Sequence, residues 1–159
     1  MKINICYVGK IKEKYFIDAI DEYKKRISKY AKVDFYSVKD EMTPQDASPA
    51  LENQIKDIEG ERLLGVIPQN SYKIVLDLKG DMLSSLELAS KIEQISTYNN
   101  SNISFIIGGS LGLSKKVLDS ADYHLCFSKM TFPHKLIQVI LLEQVYRAFK
   151  INNNETYHK

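Results

Sequence analysis

The chain has 159 residues, 44% of them apolar, and a formal net charge of +2. That size and composition suit a single domain able to bury its own core, and no run is long and apolar enough to span a membrane. The near-balanced charge neither demands nor excludes nucleic acid. Ten Lys/Arg against six Asp/Glu in residues 1–40, reversed to two against six in residues 41–70, do concentrate positive potential at the N-terminal end, where a solvated helix face explains it as well as a polyanion does.

Lys2–Val8 alternates and is rich in β-formers, so it predicts a strand closed by Gly9. From Lys12 the period changes: Tyr15, Phe16, Ala19, Ile20, Tyr23, Ile27 and Tyr30 recur every three or four residues, as on an amphipathic helix. Lys32–Val38 predicts a second, more polar strand near an edge. Asp40–Pro49, with Thr43-Pro44 and Ser48-Pro49, reads as a loop, either a cover for a site or a plain surface excursion. Leu51, Ile55, Ile58 and Leu63 mark a helix that Gly60 weakens and Pro68 ends.

Tyr72–Leu78 is nearly all apolar, as in a central parallel strand covered on both faces. Ser84 and Glu87 have the spacing of a capping box, and Leu88, Ala89, Ile92 and Ile95 form the inner face of the helix that follows. Asn99–Asn102 predicts a turn. The strand Ile103–Ile107 then runs into Gly108-Gly109, a short helix spans Ser114–Ser120, and the strand Tyr123–Phe127 runs into Ser128–His134. Two strand ends therefore empty into two loops, and in α/β folds ligands sit at such ends. The last helix, Lys135–Lys150, is apolar nearly all round. One face can cover the sheet, and a symmetric dimer is the economical cover for the other; a central helix inside one subunit is the alternative.

Several side chains are candidates for chemistry. Gly108, Gly109 and Gly112 follow GGxxG spacing, unlike the dinucleotide fingerprint, and mark a close backbone approach to a ligand or to another loop. His124, His134 and His158 lack metal-ligand spacing. His124 suits a satisfied strand histidine, and His134 a helix start. Glu143 and Arg147 stand four apart, as in a helical ion pair. The chain closes on Tyr157-His158-Lys159, an aromatic, an imidazole and a cation suited to a nucleotide. Cys6 and Cys126 lie in apolar runs without a CxxC partner, as small buried hydrophobes of a reduced protein. Lys10, Lys12 and Glu13 follow the first apolar run too soon for a signal peptide, so cytoplasm is the expected compartment.

In order, Phe105–Gly109, Gly112-Leu113-Ser114, Leu125–Phe127, Ser128–His134, Glu143–Ala148 and Tyr157–Lys159 carry a resemblance. The whole chain resembles the ribosomal large-subunit pseudouridine N3-methyltransferase family of the SPOUT class. The resemblance implies a single SPOUT domain over 1–159: an α/β sandwich with a mainly parallel sheet and a C-terminal trefoil knot. The knotted cofactor-binding region covers about 72–150, and residues 151–159 form an active-site tail. It implies S-adenosyl-L-methionine as cofactor, held by Leu76, Gly108, Phe127, Ser128, Lys129, Met130, Thr131 and Phe132, with no metal. It further implies a homodimer paired through the last helix, with Tyr157-His158 reaching the partner's pocket. The substrate implied is N3 of a pseudouridine in the decoding-region stem-loop of 23S ribosomal RNA, in the assembled ribosome.

For that reaction the candidate catalytic residues are His134, Arg147, Tyr157 and His158. The N3 nitrogen carries a proton that must leave as the methyl arrives, and charge growing on the flanking carbonyls needs dipoles. Arg147 is expected to orient RNA or steady charge, His158 to accept the proton, Tyr157 to stack on the base, and Lys129 to meet a phosphate. A charge of only +2 gives a weak grip on free RNA, so the folded ribosome is expected to supply much of the recognition. The alternatives are a SPOUT enzyme acting on another RNA atom and a non-catalytic ribosome-assembly protein that binds RNA.

Overall fold

The computed structural model describes residues 1–98 and 101–159. The expected turn at Asn99–Asn102 has its first two residues outside that set, and its last, Asn102, opens a strand. The elements run β1 Lys2–Val8, α1 Lys14–Ile27, β2 Lys32–Val38, α2 Pro49–Val66, β3 Tyr72–Met82, α3 Ser85–Tyr98, β4 Asn102–Ile107, α4 Lys115–Asp119, β5 Tyr123–Cys126 and α5 His134–Asn152. The five strands form one parallel sheet in the order β2-β1-β4-β3-β5. The polar strand β2 is thus at an edge and β3 is internal, as their compositions require.

Alternation along the strands sends side chains to two separate cores. Ile3, Ile5, Ile103, Phe105 and Ile107 face α1, α3 and α5, meeting Ile27, Ile92, Leu141, Leu142 and Val145. Cys6, Val8, Val75 and Ile106 face α2 and α4, meeting Leu63 and Val117. The result is a three-layer α/β sandwich. Both cysteines are free and buried within it, and burial pushes the Cys6 thiol up to about 12.

Local signals fix most helix starts. Ser48 Oγ accepts from the Leu51 amide at 3.2 Å, and Pro49 occupies the first turn. At α3 the Ser84 amide donates to Glu87 at 2.7 Å while the Glu87 amide donates to Ser84 Oγ at 3.2 Å, a reciprocal capping box. Ser114 caps α4 through the Val117 amide at 3.3 Å.

Two expectations need correction. Tyr15, placed on the inner face of α1 by period, is 68% exposed. Ile58 faces solvent, and the helix turns Glu59 and Gly60 inward instead. Gly60 lies within the unbroken α2, and its missing side chain leaves room for Ser114, whose Oγ would lie 2.2 Å from a Cβ there.

β3 runs past its expected end. Leu76 and Asp81 both stand opposite Leu125, so residues 77–80 bulge out of register. A Cβ at Gly80 would lie 2.6 Å from the His124 backbone, so this bulge is pressed onto β5. In the outer layer α5 packs between α1 and α3. Its Ile137, Leu141, Leu142, Val145, Ala148 and Phe149 are buried within one chain, whereas Val139 and Ile140 are only half-buried and Leu136 is exposed. Among the described residues no helix is long and apolar enough to cross a membrane.

Candidate active site

The helices after β3 and β4 leave on opposite faces of the sheet, α3 on one and α4 on the other. Adjacent strands whose connections diverge leave a crevice at their carboxyl ends. A cavity open to solvent fills it. Its walls come from Leu76 of β3 and the bulge that follows it within that strand (Asp77, Leu78), the loop after β4 (Gly108, Gly109, Gly112, Leu113) and the loop after β5 (Phe127, Ser128, Met130, Thr131, Phe132). His134 and Ile137 of α5 close the remaining side.

The glycine loop is tight. A Cβ at Gly108 would lie 2.7 Å from the Gly112 carbonyl carbon and 3.0 Å from the Leu113 amide nitrogen, so only glycine fits. Gly112 takes a φ of +88°, a left-handed conformation that glycine adopts without strain, and its amide donates to the Gly109 carbonyl at 3.1 Å. The loop after β5 is tied internally: Cys126 Sγ donates to the Ser128 carbonyl at 3.1 Å, and Ser128 Oγ accepts from the Met130 amide at 3.0 Å.

Asp77 is the one carboxylate among the lining residues. Burial pushes its carboxyl up, but the Lys79 amide and His124 outweigh that and hold it below the usual range. His124 Nδ1 lies 2.9 Å from Asp77 Oδ2, so this histidine is the satisfied strand residue its position suggested. Burial, helped by Lys135, holds His134 below the ordinary imidazole value, so it is neutral at pH 7.

Of the residues proposed for the cofactor wall, Leu76, Gly108, Phe127, Ser128, Met130, Thr131 and Phe132 line this one cavity. Lys129 does not; it is exposed on the outer side of the same loop. Of the catalytic candidates only His134 lines it. The other three form a cluster at the far end of α5. Arg147 Nη2 is 2.5 Å from Glu143 Oε1, its guanidinium lies 4.7 Å from the centre of the Tyr157 ring, and its Nη1 is 3.4 Å from His158 Nδ1. The Tyr157 hydroxyl donates to Glu143 Oε1 at 3.1 Å, and burial, then Glu143, pushes that phenol up, so it stays protonated near neutral pH. The tail is folded back on the body, where Tyr30 and Lys150 both bond Glu155. Sequence reasoning missed Asp77, Leu78 and Glu59. A carboxylate in an apolar strand was a signal for Asp77; nothing marked Glu59.

A parallel α/β sandwich with a glycine-walled crevice at its strand ends is, by class, a fold that holds a small ligand. Comparison with known proteins makes the class specific. Residues 1–158 match the family described as "Predicted SPOUT methyltransferase". A protein of Clostridium botulinum (strain Alaska E43 / Type E3) named "Ribosomal RNA large subunit methyltransferase H" is 57% identical over 159 residues, 100% of each chain. Namesakes from Clostridium acetobutylicum and Bifidobacterium animalis subsp. lactis are each 54% identical, again over 100% of both chains. A solved structure, "a probable methylase family protein from Haemophilus influenzae Rd KW20", aligns with a TM-score of 0.54 at 15% identity, over 99% of this chain and 70% of that one, and so shares the fold. The chain belongs to the ribosomal RNA large subunit methyltransferase H family of SPOUT methyltransferases.

Proposed function

We propose that this protein uses S-adenosyl-L-methionine to methylate N3 of a pseudouridine in the decoding-region stem-loop of 23S ribosomal RNA, acting as a homodimer on assembled ribosomes in the cytoplasm. The observation that carries the reading is the convergence of Leu76, Gly108, Phe127, Ser128, Met130, Thr131 and Phe132 on one cavity at the strand ends. The full-length relatives named for ribosomal RNA methylation support the substrate class.

The cavity suits the cofactor. Its Leu76, Leu113, Leu125, Phe127 and Ile137 walls are apolar enough for an adenine ring. Gly108 and Gly112 leave backbone, not side chains, on that part of the wall. Asp77 is the anion placed to face a cationic group. Residues Leu76, Gly108, Phe127, Ser128, Met130, Thr131 and Phe132 would hold the molecule, which supplies an electrophilic methyl group on a sulfonium.

The chain's own residues would then do three things. The two loops and α5 exclude water and hold the reacting centres in line, which supplies much of the rate. Neutral His134 offers a hydrogen-bond acceptor at the cavity wall. Arg147, braced by Glu143 and stacked on Tyr157, presents its free N–H groups to the base carbonyls or a phosphate, and the ring of Tyr157 offers a stacking face. His158, exposed beside Arg147, takes the N3 proton.

Arg147, Tyr157 and His158 do not line the cavity of their own chain, which supports the reading that they serve the cavity of a second subunit. The half-buried Val139 and Ile140 and the exposed Leu136 of α5 give that pairing its apolar surface. In this reading the C-terminal segment is threaded as the trefoil knot of its class. The test is labelled methyl transfer to ribosomes that lack the modification, followed by nucleoside mapping. Label on pseudouridine N3 is expected. Label on a ribose hydroxyl or a guanine would move the reaction elsewhere, and RNA binding without transfer would leave an assembly protein. An isolated stem-loop should be a much poorer substrate than the ribosome.

A further inference from the structure

Glu59 has no part in the chemistry above, yet it is 5% exposed and lies behind the cavity. No hydrogen bond or ion pair holds its carboxyl among the described residues. A Cβ added at Gly109 would sit 2.8 Å from Glu59 Oε2 and 3.2 Å from Val8. Gly109 does not have a left-handed φ. Its missing side chain is therefore explained by proximity, and the group that fills the space is the Glu59 carboxyl. The next residue of α2, Gly60, meets Ser114 in the same way, and Ser114 caps α4. Two consecutive residues of one helix thus grip both ends of the loop 109–114, whose Gly109, Gly112 and Leu113 line the cavity.

We propose that Glu59 is a positioning residue, which packs against Gly109 and with Gly60 holds the cofactor-wall loop in its binding conformation. The proposal deepens the methyl-donor reading and rests on it only for its effect on affinity. The charge on the carboxyl tunes that grip. Asp40 and Glu41, following β2, face the carboxyl with like charge; Arg62 on α2 opposes them but is engaged by Glu41 at 2.5 Å and by the Lys39 carbonyl. Asp40 also faces His134 of α5, which Lys135 and Glu13 flank in turn. Burial first, then Asp40 and Glu41, raise Glu59 from 4.5 to about 7. The folded chain keeps a proton there that an opened chain releases, so closure of the loop weakens as pH rises through about 7. If opening returns the carboxyl to its ordinary value, opening becomes about tenfold easier between about pH 6 and about pH 8.5.

The test is hydrogen exchange of the amides 108–114 in the full chain without cofactor, at those two pH values, in the wild type, Glu59→Gln and Glu59→Ala. The wild type is expected to lose about tenfold in protection at the higher pH. Glu59→Gln should lose none, and Glu59→Ala should be poorly protected at both. Calorimetry with S-adenosylmethionine should give the same pattern in affinity, with Glu59→Gln controlling for titration of the ligand's own amine. Equal pH dependence of protection in the wild type and Glu59→Gln overturns the proposal. Loss of pH dependence in Glu59→Gln without any cofactor uptake by the wild type supports it and overturns the methyl-donor reading instead.

Discussion

Gly108→Ala probes the cavity wall at one atom. The new Cβ would lie 2.7 Å from the Gly112 carbonyl carbon, 2.9 Å from its oxygen and 3.0 Å from the Leu113 nitrogen. Ordinary contact begins at 3.4 Å, so something must move by about 0.7 Å. All three obstacles are backbone, and Gly112 is held by its bond to the Gly109 carbonyl. No flexible side-chain end can yield, so the loop itself shifts. Overpacking of this kind costs about 1–3 kcal/mol. If the bound state bears that cost, the dissociation constant for S-adenosylmethionine rises about fivefold to about 150-fold, at about 1.4 kcal/mol per tenfold. Calorimetric titration measures it. Gly65→Ala is the matched control: nothing lies within 4 Å of its Cβ and it sits in α2, so it should leave binding unchanged and stabilise by about 0.5–1 kcal/mol. Wild-type affinity in Gly108→Ala would refute the assignment of this loop to the cofactor wall.

Three further outcomes are expected. Ser84→Ala removes the hydroxyl half of the α3 capping box and should cost about 1 kcal/mol, seen as a fall of about 2–4 °C in melting temperature; an unchanged melt would contradict the cap. Because the folded value of His134 is depressed, the unfolded chain binds the proton first as pH falls, so its contribution to stability is complete above about pH 6.5 and declines as pH drops through the depressed value. An NMR titration placing its ring at or above the ordinary imidazole value would contradict this. Arg147→Lys should lose most methyl transfer while cofactor affinity stays unchanged, since a point charge cannot both pair with Glu143 and stack on Tyr157. A matching loss of cofactor affinity would place Arg147 in the cofactor pocket.

Much of the fold was legible because its signals are local. The inner face of α3, Leu88, Ala89, Ile92 and Ile95, is buried as its period requires, and Ser84 with Glu87 forms the bonds their spacing foretold. What failed depends on distant partners. Period alone places Ile58 inside α2, but Ser114 and Gly109, some fifty residues on, make the inward positions Glu59 and Gly60. The bulge at residues 77–80 arises because β3 meets β5 twice at Leu125, a pairing no local pattern encodes. The cavity's two loops were legible as strand ends rich in small residues, whereas Asp77 entered its wall only through that bulge. The bracing of the tail by Glu143 was not legible, because it depends on how the chain folds back after Asn154, whose φ is +54°.

In the proposed dimer each strand-end cavity works with the tail of a second subunit. Mixed dimers test it. One subunit carries Gly108→Ala, which damages its cavity but keeps its tail; the other keeps its cavity but ends before Tyr157. Labelled methyl transfer to unmodified ribosomes is measured for each homodimer and for the mixture. Both homodimers should be nearly inactive, and the mixture should regain transfer at the one cavity served by an intact tail from its neighbour. A mixture as inactive as its components would mean that tail and cavity act within one chain.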